Sequence, residues 1–286
     1  MTQLYRFLLF SFSRLRFPVI YAFSDLLYFV FFYVLKYRKK VVEENLKNAF
    51  PEKSDNERYF LMKQFYKHLS DITLETLKAL TISKTELQKR CKIADSEGAR
   101  KYFSDTNGAI VFTAHTGNWE WGGLIFGLET KNRPVQVVYL KIKNLEFNEL
   151  MKDLRSRFGN QTVHMEKVFR ESLKNRQLVS CFLADQTPQR HQIGYWADFL
   201  NQKTPFFNGA EKMAQKLKQN VYFVNIRKVK RGFYELDIDV ITDNPAETAP
   251  NQIISTYTKM LEQAIRNQPY NWLWSHRRWK HKFSEQ

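Results

Sequence analysis

The sequence predicts an α/β protein, a mixed sheet flanked by helices with one N-terminal membrane helix. Three observations carry this reading. Short apolar runs rich in β-branched residues alternate with longer stretches of helical pattern from residue 41 onward. An apolar run fills positions 17–35. The chain of 286 residues is long enough for one large domain with a sizeable core.

The elements follow in order. Residues 17–35 are apolar apart from Ser24, Asp25 and tyrosine hydroxyls. As a helix the run would reach about 28 Å, close to the ~30 Å of a bilayer's hydrocarbon core. Arg6, Arg14 and Arg16 precede it, and Lys36, Arg38, Lys39 and Lys40 follow, so charge does not set an orientation. No small-residue cleavage site follows the run, which argues against a signal peptide. Asp25 suits a helix lying in the interface or packed on the domain, so a span and an interfacial helix both remain open. Val41 to Phe50 reads as a short amphipathic helix stopped by Pro51. Ser54-Asp-Asn-Glu57 is a capping box that opens a long helix, with Phe65, Leu69, Ile72 and Leu77 on one face. A second box, Ser83 to Glu86, opens another helix. Strands are expected at 109–114, 135–140, 178–184, 221–226 and 233–241. In the last, Tyr234, Leu236, Ile238 and Val240 alternate with Glu235, Asp237 and Asp239, so one face is wet. Helices are expected at 145–157, 166–175, 209–218 and 251–267. No internal repeat, low-complexity tract or linker interrupts them.

Composition narrows the partners. Lys and Arg number 45 against 29 acidic residues, a formal net charge of +16. Such a balance implies an anionic partner: nucleic acid, anionic lipid or an acidic protein. Aromatics make up 15% of the chain, which suits a membrane interface as well as base stacking. No recognised nucleic-acid-binding motif accompanies the charge. Cys91 and Cys181 form no spaced metal or redox pair and read as reduced cytosolic thiols. The histidines at 68, 115, 164, 191, 276 and 281 show no metal-ligand pairing, so neither metal nor cofactor is expected.

The chemistry concentrates at Ala109-Ile-Val-Phe-Thr-Ala-His115-Thr-Gly-Asn-Trp-Glu120. A buried strand follows the Asn107-Gly108 turn signal and ends near His115. Gly117 breaks it, and Asn118 is a fair N-cap for a helix from Trp119 to about Leu128. Catalytic groups gather where strands of an α/β sheet end. If the loop folds back, Glu120 reaches one imidazole nitrogen and fixes the tautomer. The other nitrogen then takes a proton from a hydroxyl as a general base. A histidine at a strand end is more often structural than catalytic, so the spacing alone does not decide the matter.

The block His115-Thr-Gly-Asn118-Trp-Glu120 resembles the catalytic block of the bacterial lipid A biosynthesis acyltransferases, the late lauroyl/myristoyl branch of the lysophospholipid acyltransferase superfamily. The resemblance runs over nearly the whole chain. It includes Arg38 to Glu52, Arg155-Ser-Arg157-Phe-Gly159, Ala184-Asp185-Gln186 and Trp274 to Lys280. One departure is Phe206-Phe-Asn208-Gly-Ala210, where the family usually has Phe-Gly without the intervening Asn. The resemblance implies a glycerolipid-acyltransferase-like fold, with residues 1–40 as a membrane-anchoring segment and 41–286 as the catalytic domain. It implies transfer of a fatty acyl chain from acyl-acyl carrier protein, or acyl-CoA as co-substrate, to a hydroxyl of a lipid A precursor. His115 and Glu120 would be catalytic, and Asn118, Arg155, Arg157, Asp185 and Gln186 would bind substrate. The setting would be the cytoplasmic face of the bacterial inner membrane. Another membrane lipid, such as a lysophospholipid or an aminolipid, is the alternative acceptor, and a membrane-tethered nucleic-acid-binding protein is a third reading.

Several of these residues admit a plainer role. Arg155 and Arg157 end a helix that Gly159 terminates, where positive charge is favourable in itself; they also suit a clamp on phosphate or the pantetheine phosphate. Asp185 and Gln186 emerge at a strand end beside His115, either as turn caps or as part of the substrate site. Cys181, mid-strand among Val179, Phe182 and Leu183, reads as core. His276 to Lys282 reads as solvated charge, or as a headgroup contact beside Trp272, Trp274 and Trp279.

Overall fold

A computed structural model describes residues 3–283; positions 1–2 and 284–286, at the outer ends of the two expected segments, lie outside it. The chain opens with helices α1 (Gln3–Ser13) and α2 (Phe17–Phe29), and a π-helical turn, Val30–Val34, prolongs α2. Helices α3 (Lys39–Ala49), α4 (Asp55–Lys78) and α5 (Lys84–Arg90) follow. Strand β1 (Cys91–Ile93) and helix α6 (Glu97–Ser104) lead into β2 (Ala109–Thr113) and α7 (Trp119–Glu129). Next come β3 (Val135–Tyr139), α8 (Leu145–Arg155), β4 (Gln161–His164), α9 (Val168–Lys174) and β5 (Val179–Leu183). A hairpin, β6 (Tyr195–Phe199) and β7 (Gln202–Phe206), precedes α10 (Gly209–Leu217). The long strands β8 (Asn220–Lys230) and β9 (Phe233–Thr242) and helix α11 (Gln252–Asn267) complete the order.

Seven strands form one mixed sheet in the order β1-β9-β8-β2-β5-β3-β4. All neighbours are parallel except β8 and β9, which form an antiparallel pair. Strand alternation divides the core into two layers. Ile110, Phe112, Phe182, Val221 and Phe223 pack with α3, α4, α10 and α11. Val111, Val179, Cys181, Tyr222 and Val224 pack with α5 to α8 on the opposite face. Strands buried on both faces explain why β2 and β5 read as continuous apolar runs.

The capping box at Ser54 forms as expected, with Glu57 N–H donating to the Ser54 hydroxyl and Ser54 N–H to the Glu57 carboxylate. It fixes the start of α4, on which the N-terminal helix lies. Phe17–Val34 is long and apolar enough to cross a membrane, with a mean hydropathy of 1.7. Ile20, Ser24 and Phe32 are buried against the domain, whereas Val19, Phe23, Leu26, Phe29, Val34 and Leu35 are exposed. Tyr21 and Ser24 face inward, and Asp25 lies exposed at the edge of the contact. Ser24 donates to Asp71 at 2.7 Å, Tyr21 donates to Glu75 at 2.9 Å, and Asp25 pairs with Arg231 at 2.7 Å.

Candidate active site

The register of the central strands builds the site. Thr113 of β2 lies opposite Leu183 of the parallel neighbour β5. Two residues beyond each come His115 and Asp185, which therefore leave the sheet side by side at its carboxyl edge. The ring Nδ1 of His115 lies 2.8 Å from Asp185 Oδ1, and its backbone N–H donates to Oδ2 at 3.1 Å. Trp272 adds an Nε1–H bond to Oδ2 at 2.8 Å. Burial pushes the Asp185 carboxyl up, but the adjacent imidazole and these donors outweigh it and hold the group at about 2. An ionised Asp185 accepts at Nδ1–H and so leaves the lone pair on Nε2. The Gln186 amide nitrogen sits 3.1 Å from that Nε2, and the Trp119 ring meets the imidazole edge-on at 5.0 Å between centroids.

Glu120 keeps different company, which corrects the expectation that it would reach the imidazole. It stands in the first turn of α7 and receives a forked contact from Arg155, the last residue of α8. Nε–H donates at 3.0 Å and Nη2–H at 2.7 Å. Asp185 already fills Nδ1, and Arg155 offers Glu120 a planar bidentate donor. The pair lines the same cavity as His115.

The remaining expected residues divide. Gln186 and Arg155 line the cavity. Asn118 is buried and its amide is divided between two protein partners. Its Oδ1 caps α7 by accepting from Trp121 N–H at 3.0 Å, and its Nδ2–H donates to Glu75 at 2.8 Å. Glu75, fully buried, also accepts from the Tyr234 hydroxyl at 2.7 Å; burial raises its carboxyl. Asn118 thus holds the turn in place and does not line the cavity. Arg157 lies elsewhere as well. Its guanidinium donates to the carbonyls of Ala79 and Ile82 and stacks near Phe158, clamping the loop after α4. Gly117 adopts φ +55°, and a Cβ there would come within 2.7 Å of Ile226. Its N–H is taken by the Asn271 carbonyl at 3.0 Å, so that donor is committed within the fold.

The cavity itself measures about 490 Å³ and runs from His115 between α7 and the sheet. Val111, Val137, Cys181, Val224 and Leu236 form its apolar wall. A Cβ at Gly123 of α7 would meet nothing within 4 Å, so this glycine leaves space on the helix side. Cys181 is core, as expected, and also part of this wall; burial pushes its thiol up to about 12.

The C-terminal segment departs most from the sequence reading. Trp272 and Trp274 are buried, and Arg278 is fully buried over the Phe206 ring, donating to the Pro205 carbonyl at 2.7 Å. His276 accepts from Thr187 N–H at 3.1 Å. Only part of the run, including Arg277 and Lys280, is exposed. These residues brace the strand end that carries Asp185 and Gln186. Trp272, read from the sequence as neighbouring a headgroup contact, donates instead to Asp185, and Glu75, which no sequence signal picks out, accepts from Asn118. A lone Trp in a basic-aromatic run and a Glu in mid-helix carry no motif. The inserted Asn208 has a local role: its amide donates to Gly194 O at 3.2 Å and to Asn251 Oδ1 at 2.9 Å.

Comparison with known proteins adds independent evidence. The family model for bacterial lipid A biosynthesis acyltransferases matches residues 1–281. A lipid A biosynthesis palmitoleoyltransferase of Escherichia coli (strain K12) is 23% identical over 253 residues, spanning 86% of this chain and 80% of the relative. A lipid A biosynthesis acyltransferase of Shigella flexneri matches to the same extent, at 23% identity.

Proposed function

Since the chain belongs to the bacterial lipid A biosynthesis acyltransferase family, we propose that it moves a fatty acyl chain from acyl-acyl carrier protein directly to a hydroxyl of a lipid A precursor, with His115 as general base. It is an acyltransferase with a lipid acceptor. The observation that carries the mechanism is the His115–Asp185 contact of 2.8 Å, which leaves Nε2 at the mouth of an apolar cavity.

The acceptor hydroxyl takes the place of the Gln186 amide at Nε2 and passes its proton to His115. Its oxygen bonds to the thioester carbon, the carbon–sulfur bond breaks, and the imidazolium returns the proton to the departing thiolate. Asp185 fixes the tautomer and balances the imidazolium charge. Arg155, oriented by Glu120, supplies positive charge beside the cavity, for the developing oxyanion or for the phosphate of the donor's pantetheine arm. A net charge of +16 supports docking of an acidic carrier protein.

The exposed face of α2 supports association with the bacterial inner membrane at its cytoplasmic side. Since Tyr21, Ser24 and Asp25 are bound to α4 and to the β8–β9 turn, the helix fits best lying in the interface with its apolar face in lipid. Exposed Leu140, Leu145 and Phe147 after β3, beside Lys141 and Lys143, supply a second lipid-facing segment.

The test is transfer by the purified protein from acyl-carrier protein to a lipid A precursor, with the product read by mass spectrometry. Wild type should acylate the precursor. His115→Ala should lose at least about a hundredfold in turnover, the usual loss for a general base, with its thermal midpoint kept. Transfer only to a lysophospholipid or aminolipid would reassign the acceptor, and near wild-type turnover in His115→Ala would refute the base.

A further inference from the structure

Two apolar cavities end on the catalytic turn. The second measures about 470 Å³ and is walled by α4 and α8, with Ile72, Thr76 and Leu77 facing Leu150, Met151 and Leu154. It shares Trp119, Glu120 and Gln186 with the first cavity. The same three side chains therefore border both spaces, and two of them, Gln186 and Trp119, touch the imidazole.

We propose that the second groove holds a hydrocarbon chain of the acceptor lipid while the first holds the donor's acyl chain. The hydroxyl and the thioester carbonyl then meet at His115. The assignment rests on the transferase reading, since a transfer between two hydrocarbon-bearing substrates needs two apolar spaces converging on one base.

Three features decide which chain goes where. First, the second groove is lined by Tyr37 and Arg38, which directly follow the N-terminal helical run. Exposed Val34, Leu35 and Tyr37 lie at that end, so a lipid can enter laterally from the bilayer without crossing water. Second, Arg38 carries its charge at this groove, with exposed Lys36 and Lys40 close by in sequence, which complements an anionic headgroup left at the membrane surface. Third, the first cavity runs inward along β2, β3, β5, β8 and β9, a dead end among core side chains. That shape suits a single unbranched chain delivered by a soluble carrier. Leu140 of the first cavity, just after β3, and Phe147 of the second, in the first turn of α8, are both exposed, so the two spaces open toward one face.

Photo-crosslinking tests this on the wild-type protein. A lipid A precursor with a diazirine on an acyl chain should label residues 69–80 and 147–154. An acyl-carrier protein loaded with an ω-diazirine acyl chain should label 111–137 and 179–184 instead. A substitution provides the second arm. Thr76 lines the second groove and is half-buried, so Thr76→Trp should fill it. The acceptor KM should rise by about tenfold or more, the scale of a lost hydrocarbon fit, with the donor KM and thermal midpoint held. Exchanged labelling, acceptor labelling in neither groove, or a Thr76→Trp effect on the donor KM alone would overturn the assignment. A wild-type protein that transfers no acyl chain would instead sink the transferase reading, so the two failures are separable.

Discussion

Asp185 and Glu120 are two buried carboxylates at one site, and they answer to different partners. Asp185 lies 70 positions beyond His115 in sequence yet 2.8 Å from its ring, because parallel pairing of β2 and β5 aligns the two strand ends. Glu120 follows His115 by one short turn yet binds Arg155, because α7 sets it opposite the end of α8. Proximity along the chain is a poor guide to proximity across a parallel sheet, where register decides which side chains meet. The electrostatics differ in the same way. Asp185 works against its burial through three donors, whereas Glu120 shares a charge-assisted fork.

The largest expected effect separates the two acids. Asp185→Asn keeps the shape but removes the charge that holds Nδ1–H, so the imidazole can turn to the unproductive tautomer. Turnover should fall on the order of ten-thousandfold, the scale of a lost orienting carboxylate in a hydrolase triad. Glu120→Gln leaves the His115–Asp185 contact alone and weakens only the pairing with Arg155. Its loss should be about 10- to 100-fold, the worth of one charged hydrogen bond. Combining Glu120→Gln with Arg155→Gln should cost little more than either alone, since the two act as one unit. If Glu120→Gln proved the more damaging, Glu120 and not Asp185 would be the acid the imidazole depends on.

The same contrast shows what the sequence reveals. Apolar runs announce β2, β3 and β5, and the Ser54 box announces α4, because these signals are local. His115 stands out for the same reason, and two expected strand ends already put Asp185 beside it. Which acid takes the imidazole depends on register and on the competing offer from Arg155, neither of which is local. The β6–β7 hairpin is missed because its turn uses Leu200 and Asn201 at φ +51° and +61°, where the usual signal is Asn-Gly. Strand β1, only Cys91–Ile93, leads directly out of α5 with no break to mark it. The C-terminal basic run misleads because Arg278 reads as surface but is buried whole.

An intermediate effect concerns acid. Burial, ahead of the nearby charges, lowers the His276 imidazole from 6.5 to about 4, so it is neutral where it accepts from Thr187 N–H. A base held below its ordinary value leaves the folded state short of a proton that the unfolded chain binds. Stability is therefore complete above about pH 6.5 and falls as pH drops toward 4. Asp185, lowered from 3.8 to about 2, keeps its contribution through that range and loses it only below 3.8. Between pH 6.5 and 4 the brace behind the strand end is therefore acid-sensitive, as is the buried His68 imidazole, which burial also lowers, whereas the Asp185 carboxylate is not. His276→Gln, which keeps an acceptor and cannot charge, should reduce the drop in thermal midpoint between pH 7 and 5. Each kcal/mol retained is worth roughly 2–4 °C in a chain of this size. An unchanged pH profile would remove His276 from this role.

The smallest effect should come from Cys181, the nucleophilic atom nearest the acyl chain that the mechanism does not use. Cys181 lies within β5 and Asp185 two residues beyond its end, yet the carboxyl is drawn to ionise and the thiol kept from it. Burial pushes the thiol up to about 12, so thiolate is scarce at any physiological pH. Without thiolate there is no acyl-cysteine to form, and the sulfur serves only as wall. Cys181→Ala should therefore keep turnover within about threefold and cost about 1 kcal/mol or somewhat more in stability, in proportion to the enlarged cavity. The added space should favour a slightly longer acyl chain in a competition between donors. Intact-protein mass spectrometry of wild type mixed with acyl-carrier protein should show no acyl adduct. A thioester on Cys181 would replace direct transfer with a ping-pong route and leave the His115–Asp185 pair serving a thiol and not a lipid hydroxyl.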